Sequence, residues 1–251
     1  WIIGDDGYVD NIADVEAMVA LLESVGAETR WESRHTLEVR AASVDPGSLR
    51  SDFVAKLRGS IVLVGALLAR TGRATMPYPG GDLIGSRPIA VHLDAFRSLG
   101  ASVREGNILT VAARRGLQAS RIVLAEPSVT GTENALLAAA GAAGTTEIRL
   151  AAMEPHVQAL ASVLNRMGAR VEGIGTPFLR IRGSRSLRGF AYRLEPDELE
   201  VSAFALLAAA TRSRLSIGPI LPDRLDSVLG ALSAMGVRYT IERNALRILA
   251  R

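Results

Sequence analysis

Apolar residues recur at helical spacing in the segments that lead to Gly168 and Gly236. In each segment they occupy positions i, i+3, i+4 and i+7, which predicts a helix with one apolar face. These positions are Val157, Leu160, Ala161 and Leu164, and Leu225, Val228, Leu229 and Leu232. After Gly168, residues 170–172 and 178–182 are short runs of alternating polarity, which predict an antiparallel hairpin. The amphipathic helices therefore lie on sheets.

Three other segments are more uniformly apolar, at residues 53–69, 134–143 and 201–210. A helix without a polar face is usually buried. We therefore predict that these helices pack against one another inside a ring of sheets, which inverts the usual barrel. Strands are predicted on either side of the second one, at residues 121–125 and 147–150.

The chain contains an internal repeat. A helical pattern that ends in a glycine turn recurs with separations of 74, 68 and 68 residues. The four glycines are Gly26, Gly100, Gly168 and Gly236. Pro88, Pro155 and Pro222 are predicted to open the preceding helices, because proline favours the first helical turn. Each repeat is predicted as strand, helix, strand, helix, strand, strand. The copies are an incomplete one at residues 1–42, whole ones at 46–113 and 117–184, and a fourth at 188–251.

Composition narrows the class of protein. The chain has 251 residues, of which 48% are hydrophobic and 4% aromatic, so a globular core of small aliphatic side chains is expected. The longest uncharged run, residues 134–146, is shorter than the roughly 18 to 20 residues that span a bilayer. No charged and then apolar leader opens the chain, and a cytoplasmic protein without a membrane segment is expected.

No residue pattern in the sequence predicts a metal or cofactor site. The chain has no cysteine, and His35, His92 and His156 share no ligand spacing, so neither a metal nor a cofactor is predicted. Of the 29 basic residues all but Lys56 are arginine, and 26 acidic residues leave a net charge of +3. Because the arginines are spread along the chain, the sequence argues against a nucleic-acid partner and remains compatible with small anionic substrates.

The segment from Pro79 to Pro88, with the sequence PGGDLIGSRP, is the strongest candidate for chemistry. Its glycines permit backbone angles closed to other residues, and Pro88 is predicted in the first turn of the following helix. Asp82 can donate or accept a proton, and Arg87 can hold a phosphate or carboxylate in bidentate fashion. The alternative interpretation is a surface turn that ends at a capped helix.

This segment and several others together resemble the enolpyruvyl transferases, and within that family the branch that acts on UDP-N-acetylglucosamine. The other matching segments, all in the family's order, are residues 56–61 (KLRGSI), 127–129 (PSV), 132–134 (TEN), 154–155 (EP), 195–198 (EPDE) and 203–204 (AF). The resemblance covers essentially the whole chain. It implies an α/β fold, the EPSP synthase-like inside-out α/β barrel of βαβαββ units with buried helices, three units to a domain. Residues 1–187 would form the domain with the active-site loop, and 188–251 the first repeat of a second domain.

The resemblance also implies a reaction. Enolpyruvate would pass from phosphoenolpyruvate to the 3-hydroxyl of UDP-N-acetylglucosamine with release of phosphate, the first committed step of peptidoglycan synthesis, without a cofactor. Asp82 matches the general acid, Arg87 the loop arginine that meets the phosphate, and Arg58 an arginine of the substrate cleft. From the residues alone, Arg58 is equally well a surface cation at the end of a buried helix.

Four further residues match positions beside the nucleotide. Val91 and His92 match one such segment, and Ser128 and Val129 match a turn that contacts the uridine. Taken by themselves, His92 on the apolar side of its helix reads as a satisfied core histidine, and Ser128 with Val129 reads as an ordinary strand end.

Three departures from the family pattern keep other functions open. Ala90 replaces an aspartate, Thr130 with Gly131 replaces a Gly-Ala pair, and Glu198 replaces an arginine. One alternative is an inactive homologue or fragment that binds a nucleotide sugar or a protein partner. The other is a protein like the RNA 3′-phosphate cyclases. Because the family's remaining repeats have no counterpart here, the chain alone is expected not to turn over.

Overall fold

The computed structural model describes residues 2–3, 13–81 and 88–249, the first pair as backbone only. Its α-helices are α1 (Ala13–Ser24), α2 (Ser51–Val54), α3 (Val62–Thr71), α4 (Ala90–Ser98), α5 (Val129–Ala140), α6 (Pro155–Met167), α7 (Glu198–Ala210) and α8 (Asp226–Ala234). Two 3₁₀ helices span Arg58–Ile61 and Pro222–Arg224. The strands are β1 (Ile2–Ile3), β2 (Glu28–Ser33), β3 (Thr36–Arg40), β4 (Arg73–Pro77), β5 (Ser102–Arg104), β6 (Ile108–Ala112), β7 (Arg121–Val123), β8 (Thr145–Arg149), β9 (Arg170–Glu172), β10 (Phe178–Arg182), β11 (Ala191–Tyr192), β12 (Leu215–Ile217), β13 (Tyr239–Glu242) and β14 (Ala245–Ile248).

The described chain divides into two compact units, which meet in sequence between Tyr192 and Arg193. The first unit holds three sheets, with strand orders β11-β1-β3-β2, β4-β6-β5 and β7-β8-β10-β9. The second holds one sheet, β12-β14-β13. Each unit has its own cluster of buried apolar side chains.

The third repeat follows the predicted order of elements, from β7 through α5, β8, α6 and β9 to β10. The predicted hairpin is confirmed, because β9 and β10 pair antiparallel with Ile181 opposite Val171. β7 runs parallel to β8, which places the buried α5 as the crossover between them. Ile122, Ile148 and Ile181 face inward and are buried.

The predicted leading strand of the second repeat is absent. Pro46 stands where it would pair with β4, and it has no N–H to donate to a ladder. One bond of that kind remains, from the Thr75 N–H to the Pro46 carbonyl at 3.1 Å. The Asp45 carboxylate instead accepts the Gly47 N–H at 2.9 Å and the Ser48 hydroxyl, which folds the segment into a turn.

The glycine turns of the repeat are confirmed at all four positions. Gly26, Gly100, Gly168 and Gly236 have φ values of 94°, 85°, 109° and 69°, in the left-handed region that ends helices at low cost. The proline prediction holds fully only at Pro155, the first residue of α6. Pro222 opens a 3₁₀ turn before α8, and Pro88 lies two residues before α4.

The centre of the first unit is the packing of α3 against α5. A Cβ on Gly65 would lie 2.6 Å from the Asn134 Oδ1, and a Cβ on Gly141 would lie 2.8 Å from the Ala69 Cβ. Small residues at both ends therefore let the two helices approach closely. Within α5, Ala135, Leu136 and the three alanines at its end are buried, as predicted for residues 134–143.

The single helix predicted for residues 53–69 is wrong. The chain forms the short α2, then an extended Leu57, then the 3₁₀ helix that leads into α3. The break has a tertiary cause. The N–H groups of Gly80 and Gly81 donate to the carbonyls of Val54 and Ala55 at 3.0 and 3.2 Å, so these carbonyls are taken by another segment.

The burial predicted for residues 201–210 is also wrong. In α7 Val201, Ala205 and Ala208 are buried, whereas Phe204 is 46% exposed and Leu207 56% exposed. Hydrophobic content identified the helix, but the exposed area depends on what packs against it. In the second unit α7 packs on one three-stranded sheet, which covers one side.

Five of the arginines lie exposed on the outer face of the third sheet: Arg121, Arg149, Arg170, Arg180 and Arg182. Two carboxylates lie among them, and Glu147 pairs with Arg149 and Arg180 at 3.7 and 3.4 Å. The absence of a nucleic-acid partner stays a prediction. Because spacing along the sequence did not show this group of arginines, RNA is the comparison to include in any binding experiment.

We expect Gly230→Ala to stabilise the protein. Gly230 lies inside α8, and a Cβ built on it meets nothing within 4 Å. Alanine loses less backbone freedom on folding, so the free energy of unfolding should rise by about 0.5 to 1 kcal/mol. Urea unfolding followed by circular dichroism measures the change, and a loss of stability would show that this face of α8 is covered.

Candidate functional site

Five of the seven predicted site residues lie at the starts of three helices. Arg58 opens the 3₁₀ helix, Val91 and His92 lie in the first turn of α4, and Ser128 with Val129 opens α5. The other two, Asp82 and Arg87, lie outside the described residues. The structure therefore gives the positions of Arg58 and of the residues proposed to bind the nucleotide. The role of Asp82 as general acid stays a prediction.

The start of α5 is fixed by its own side chains. Ser128 is the N-cap, and its Oγ accepts the Gly131 N–H at 3.2 Å. The Thr132 hydroxyl donates to the Ser128 carbonyl at 2.7 Å and accepts the Ala152 N–H at 2.9 Å. Thr132 is fully buried, so these bonds tie the turn to the end of the next strand. Ser128 is therefore a helix cap, not an ordinary strand end.

The first turns of α4 and α5 touch. A Cβ on Gly131 would lie 2.7 Å from the Val91 Cγ1, so glycine is what permits this approach. The His92 Nε2 lies 3.4 Å from the Thr130 Oγ1 on the same first turn of α5. The two segments that resemble nucleotide-contacting segments of the family are therefore neighbours in space.

His92 and Asn134 form a buried polar pair that sequence reasoning assigned only in part. His92 is 3% exposed, and its Nδ1 lies 2.8 Å from the Asn134 Nδ2. The same Nδ2 donates to the Ile61 carbonyl at 3.0 Å, and the Asn134 Oδ1 accepts the Gly65 N–H at 2.8 Å. An α-helix would otherwise pair Gly65 with Ile61, four residues apart, so the amide occupies the place of a helix bond. In the sequence, the available indication of this pair was the single amide of Asn134 at the start of the apolar segment 134–143.

Arg58 bridges two points of the chain that lie far apart in sequence. Its guanidinium donates to the Pro79 carbonyl and to the Pro88 carbonyl, both at 3.3 Å. Gly80 follows Pro79, and a Cβ on it would fall 1.6 Å from the Ala55 carbonyl oxygen. Both flanks of residues 82–87 are therefore fixed to the segment between α2 and α3, by Arg58 and by backbone that only glycine permits.

The surroundings of His92 favour its neutral form. Burial first, and the nearby positive charge of Arg58 second, together lower the pKa of His92 to about 4. Burial raises the pKa of Glu133, against the attraction of His156 and with the repulsion of Glu154. His92 is therefore a neutral hydrogen-bonding group near pH 7, not a cation.

This shift predicts a loss of stability in acid. A histidine with a pKa near 6.5 unfolded and about 4 folded takes up a proton on unfolding between these values, so stability falls as pH falls through that window. Between pH 7.5 and 5 the wild-type chain should lose about 2 kcal/mol more than His92→Gln. Urea unfolding at both pH values measures the difference, and equal losses would show that His92 is charged when folded.

Neither metal nor membrane features appear in the described ranges. No three of their histidine and carboxylate side chains lie close enough together to hold a metal ion. None of their helices is long and apolar enough to cross a membrane.

Comparison with known proteins agrees with this architecture. Residues 9–250 match the model of the family described as EPSP synthase (3-phosphoshikimate 1-carboxyvinyltransferase). A UDP-N-acetylglucosamine 1-carboxyvinyltransferase of Bradyrhizobium diazoefficiens is 42% identical over 238 residues, which are 95% of this chain and 55% of the relative. A protein of the same name from Treponema denticola is 38% identical over 240 residues, 96% of this chain and 56% of the relative. The chain thus spans about half the length of the curated relatives it matches.

Solved structures show the same fold. The enolpyruvyl transferase NikO from Streptomyces tendae superposes with a TM-score of 0.80 at 23% identity, covering 99% of this chain and 59% of NikO. The EPSP synthase from Acinetobacter baumannii gives a TM-score of 0.67 at 18% identity, covering 99% of this chain and 58% of that one. The predicted fold class is confirmed, while closure of the sheets into a ring stays a prediction.

Proposed function

Because the chain belongs to the EPSP synthase family, we propose that it carries out part of the transfer of enolpyruvate from phosphoenolpyruvate to the 3-hydroxyl of UDP-N-acetylglucosamine, with release of phosphate. The observation that carries the choice of acceptor is the identity of 36 to 42% to proteins named for this reaction, over nearly the whole chain. The proposed place of the reaction is the cytoplasm, and its products serve peptidoglycan synthesis.

The nucleotide would bind at the facing first turns of α4 and α5. Val91, His92, Ser128 and Val129 lie there, and helix N-termini present unpaired N–H groups that favour anionic ligands. The contact between Val91 and Gly131 sets the distance between the two turns. Thr130, which departs from the family pattern, adds a hydroxyl between them.

The chemistry would come from the segment that Arg58 flanks. Asp82 would protonate the methylene carbon of phosphoenolpyruvate while a base removes the proton of the sugar hydroxyl, and elimination of phosphate would follow. Arg87 would hold the phosphate as its charge increases. Arg58 already donates to the carbonyls on both flanks, which fixes where this segment leaves and rejoins the described fold.

The family resemblance also leads us to propose a division of the chain into two domains. Residues 1–187 would form the domain that carries the loop, and residues 188–251 the first repeat of a second domain. The order of elements from α7 through β12, α8 and β13 to β14 supports this, because it repeats that of the third repeat after its leading strand. The strand β11 instead pairs with β1 in a sheet of the first unit.

A chimera tests the proposed function. The 238 aligned residues of this chain would replace their counterparts in the Bradyrhizobium diazoefficiens relative. We expect phosphate release from phosphoenolpyruvate that requires UDP-N-acetylglucosamine and is not supported by 3-phosphoshikimate. A folded chimera that uses 3-phosphoshikimate, or that releases no phosphate while the relative does, would contradict the proposal.

A further inference from the structure

The orientation of the Asn134 amide is fixed by two backbone groups. The Gly65 N–H can only donate, so the atom 2.8 Å from it is the amide oxygen. The Ile61 carbonyl can only accept, so the atom 3.0 Å from it is the amide nitrogen. Both observations give the same orientation, and the nitrogen therefore also faces His92.

That orientation determines the tautomer of His92. The Asn134 Nδ2 donates to the His92 Nδ1 at 2.8 Å, so Nδ1 carries no proton. In a neutral imidazole the proton is then on Nε2. The His92 Nε2–H points to the Thr130 Oγ1 at 3.4 Å, and the hydroxyl oxygen is the acceptor.

The hydroxyl hydrogen of Thr130 can then be donated to another acceptor. Its oxygen is occupied by the histidine, and within residues 13–81 and 88–249 we find no acceptor for its hydrogen. Thr130 is half-buried, in the first turn of α5 beside Val129. It lies in the turn where the proposed function places the nucleotide.

We propose that Asn134 is a positioning residue that holds His92 as the Nε2–H tautomer, so that the Thr130 hydroxyl donates a hydrogen bond to an acceptor oxygen of the bound sugar nucleotide. The first half stands on the geometry of the described residues. The second half rests on the proposed function, because it requires the nucleotide to lie at this turn. Thr130 would then help to select the ligand in this chain.

Nitrogen-15 NMR of the 251-residue chain with labelled histidine tests the first half directly. Long-range proton–nitrogen correlations distinguish the two neutral tautomers, and the spectrum of His92→Gln identifies the signals of His92 among those of His35 and His156. We expect a protonated Nε2 and an unprotonated Nδ1 at pH 7. A protonated Nδ1, or a mixture of both forms, overturns the assignment.

Asn134→Asp should invert the tautomer. The carboxylate keeps the acceptor for Gly65 but can only accept from His92. At a pH that keeps the imidazole neutral, which the nitrogen-15 spectrum checks, Nδ1 becomes the donor and Nε2 becomes an acceptor that takes the Thr130 hydrogen. The affinity for UDP-N-acetylglucosamine, measured by calorimetry, should fall by about 2- to 10-fold, which corresponds to one neutral hydrogen bond. Thr130→Val should cause a similar loss, and Thr130→Ser should restore the affinity.

The double variant, Asn134→Asp with Thr130→Val, tests whether the two substitutions remove the same hydrogen bond to the ligand. If both substitutions remove the same donor, adding Thr130→Val to Asn134→Asp should cost nothing further, whereas independent losses would multiply. Multiplied losses, or full affinity in Thr130→Val, overturn the role of Thr130. If Asn134→Asp does not fold, the wild-type spectrum and the Thr130 pair still decide both halves. If the wild-type chain does not bind UDP-N-acetylglucosamine, the proposed function and the role of Thr130 fall together, and the spectrum still decides the tautomer.

Discussion

Replacing Asn134 by leucine is expected to lower the free energy of unfolding by about 3 to 9 kcal/mol, because each buried group that loses its hydrogen bond costs about 1 to 3 kcal/mol. Three groups lose their partner: the Gly65 N–H, the Ile61 carbonyl and the His92 Nδ1. Leucine has the same branching and number of side-chain heavy atoms as asparagine, so no cavity forms. The loss then reports on the unpaired polar groups together with crowding of the larger methyl groups against Gly65. Urea unfolding followed by circular dichroism gives the value.

Asn165 is a matched control within the same chain. Its amide also bonds one backbone N–H and one backbone carbonyl, here both of Val171: it donates to the Val171 carbonyl at 3.0 Å and accepts the Val171 N–H at 2.6 Å. Asn165 is exposed, so water replaces the lost bonds and Asn165→Leu should cost at most about 1 kcal/mol. Equal costs for the two variants would show that burial does not set the value of the Asn134 bonds.

The second large effect concerns Asp82. In the chimera with the Bradyrhizobium diazoefficiens relative, Asp82→Asn should reduce kcat by about 10²- to 10⁴-fold, the range that a general acid contributes. The amide has the size of the carboxyl group but cannot transfer its proton. The rate of phosphate release under saturating substrates measures the loss.

Asp94→Asn is the control for charge and position. Asp94 lies on α4 after the proposed site, is exposed, and pairs with Arg97 at 2.7 Å, so its substitution should leave kcat within about twofold, as expected for a surface ion pair. Turnover that is unchanged by Asp82→Asn would remove Asp82 from the role of acid and leave the nucleotide site untouched.

Local rules were sufficient for the elements whose residues specify them alone. The helix from Pro155 to Met167 and the hairpin after Gly168 follow from a periodic apolar face, a proline at the start and a glycine at the end. The cap at Ser128 also needs only its own turn, although the residues alone were interpreted as an ordinary strand end. At these places local preference and tertiary packing agree.

Features set by distant contacts could not be read from the sequence. The helix predicted for residues 53–69 breaks because Gly80 and Gly81 take carbonyls from its first turn. The exposure of Phe204 follows from what packs on α7, which periodicity does not specify. The partner of His92 lies 42 residues away, so the histidine was a candidate from the sequence whereas its neighbour could not be predicted.

Calorimetric titration of the 251-residue chain with UDP-N-acetylglucosamine, repeated with a short single-stranded RNA, tests the central claim most directly. The account predicts saturable binding of the sugar nucleotide that is weakened by Thr130→Val at the facing turns of α4 and α5. It predicts that the exposed arginines of the third sheet give RNA at most a weak, salt-sensitive signal. Tight RNA binding, or a folded chain that gives no heat with UDP-N-acetylglucosamine, would contradict it.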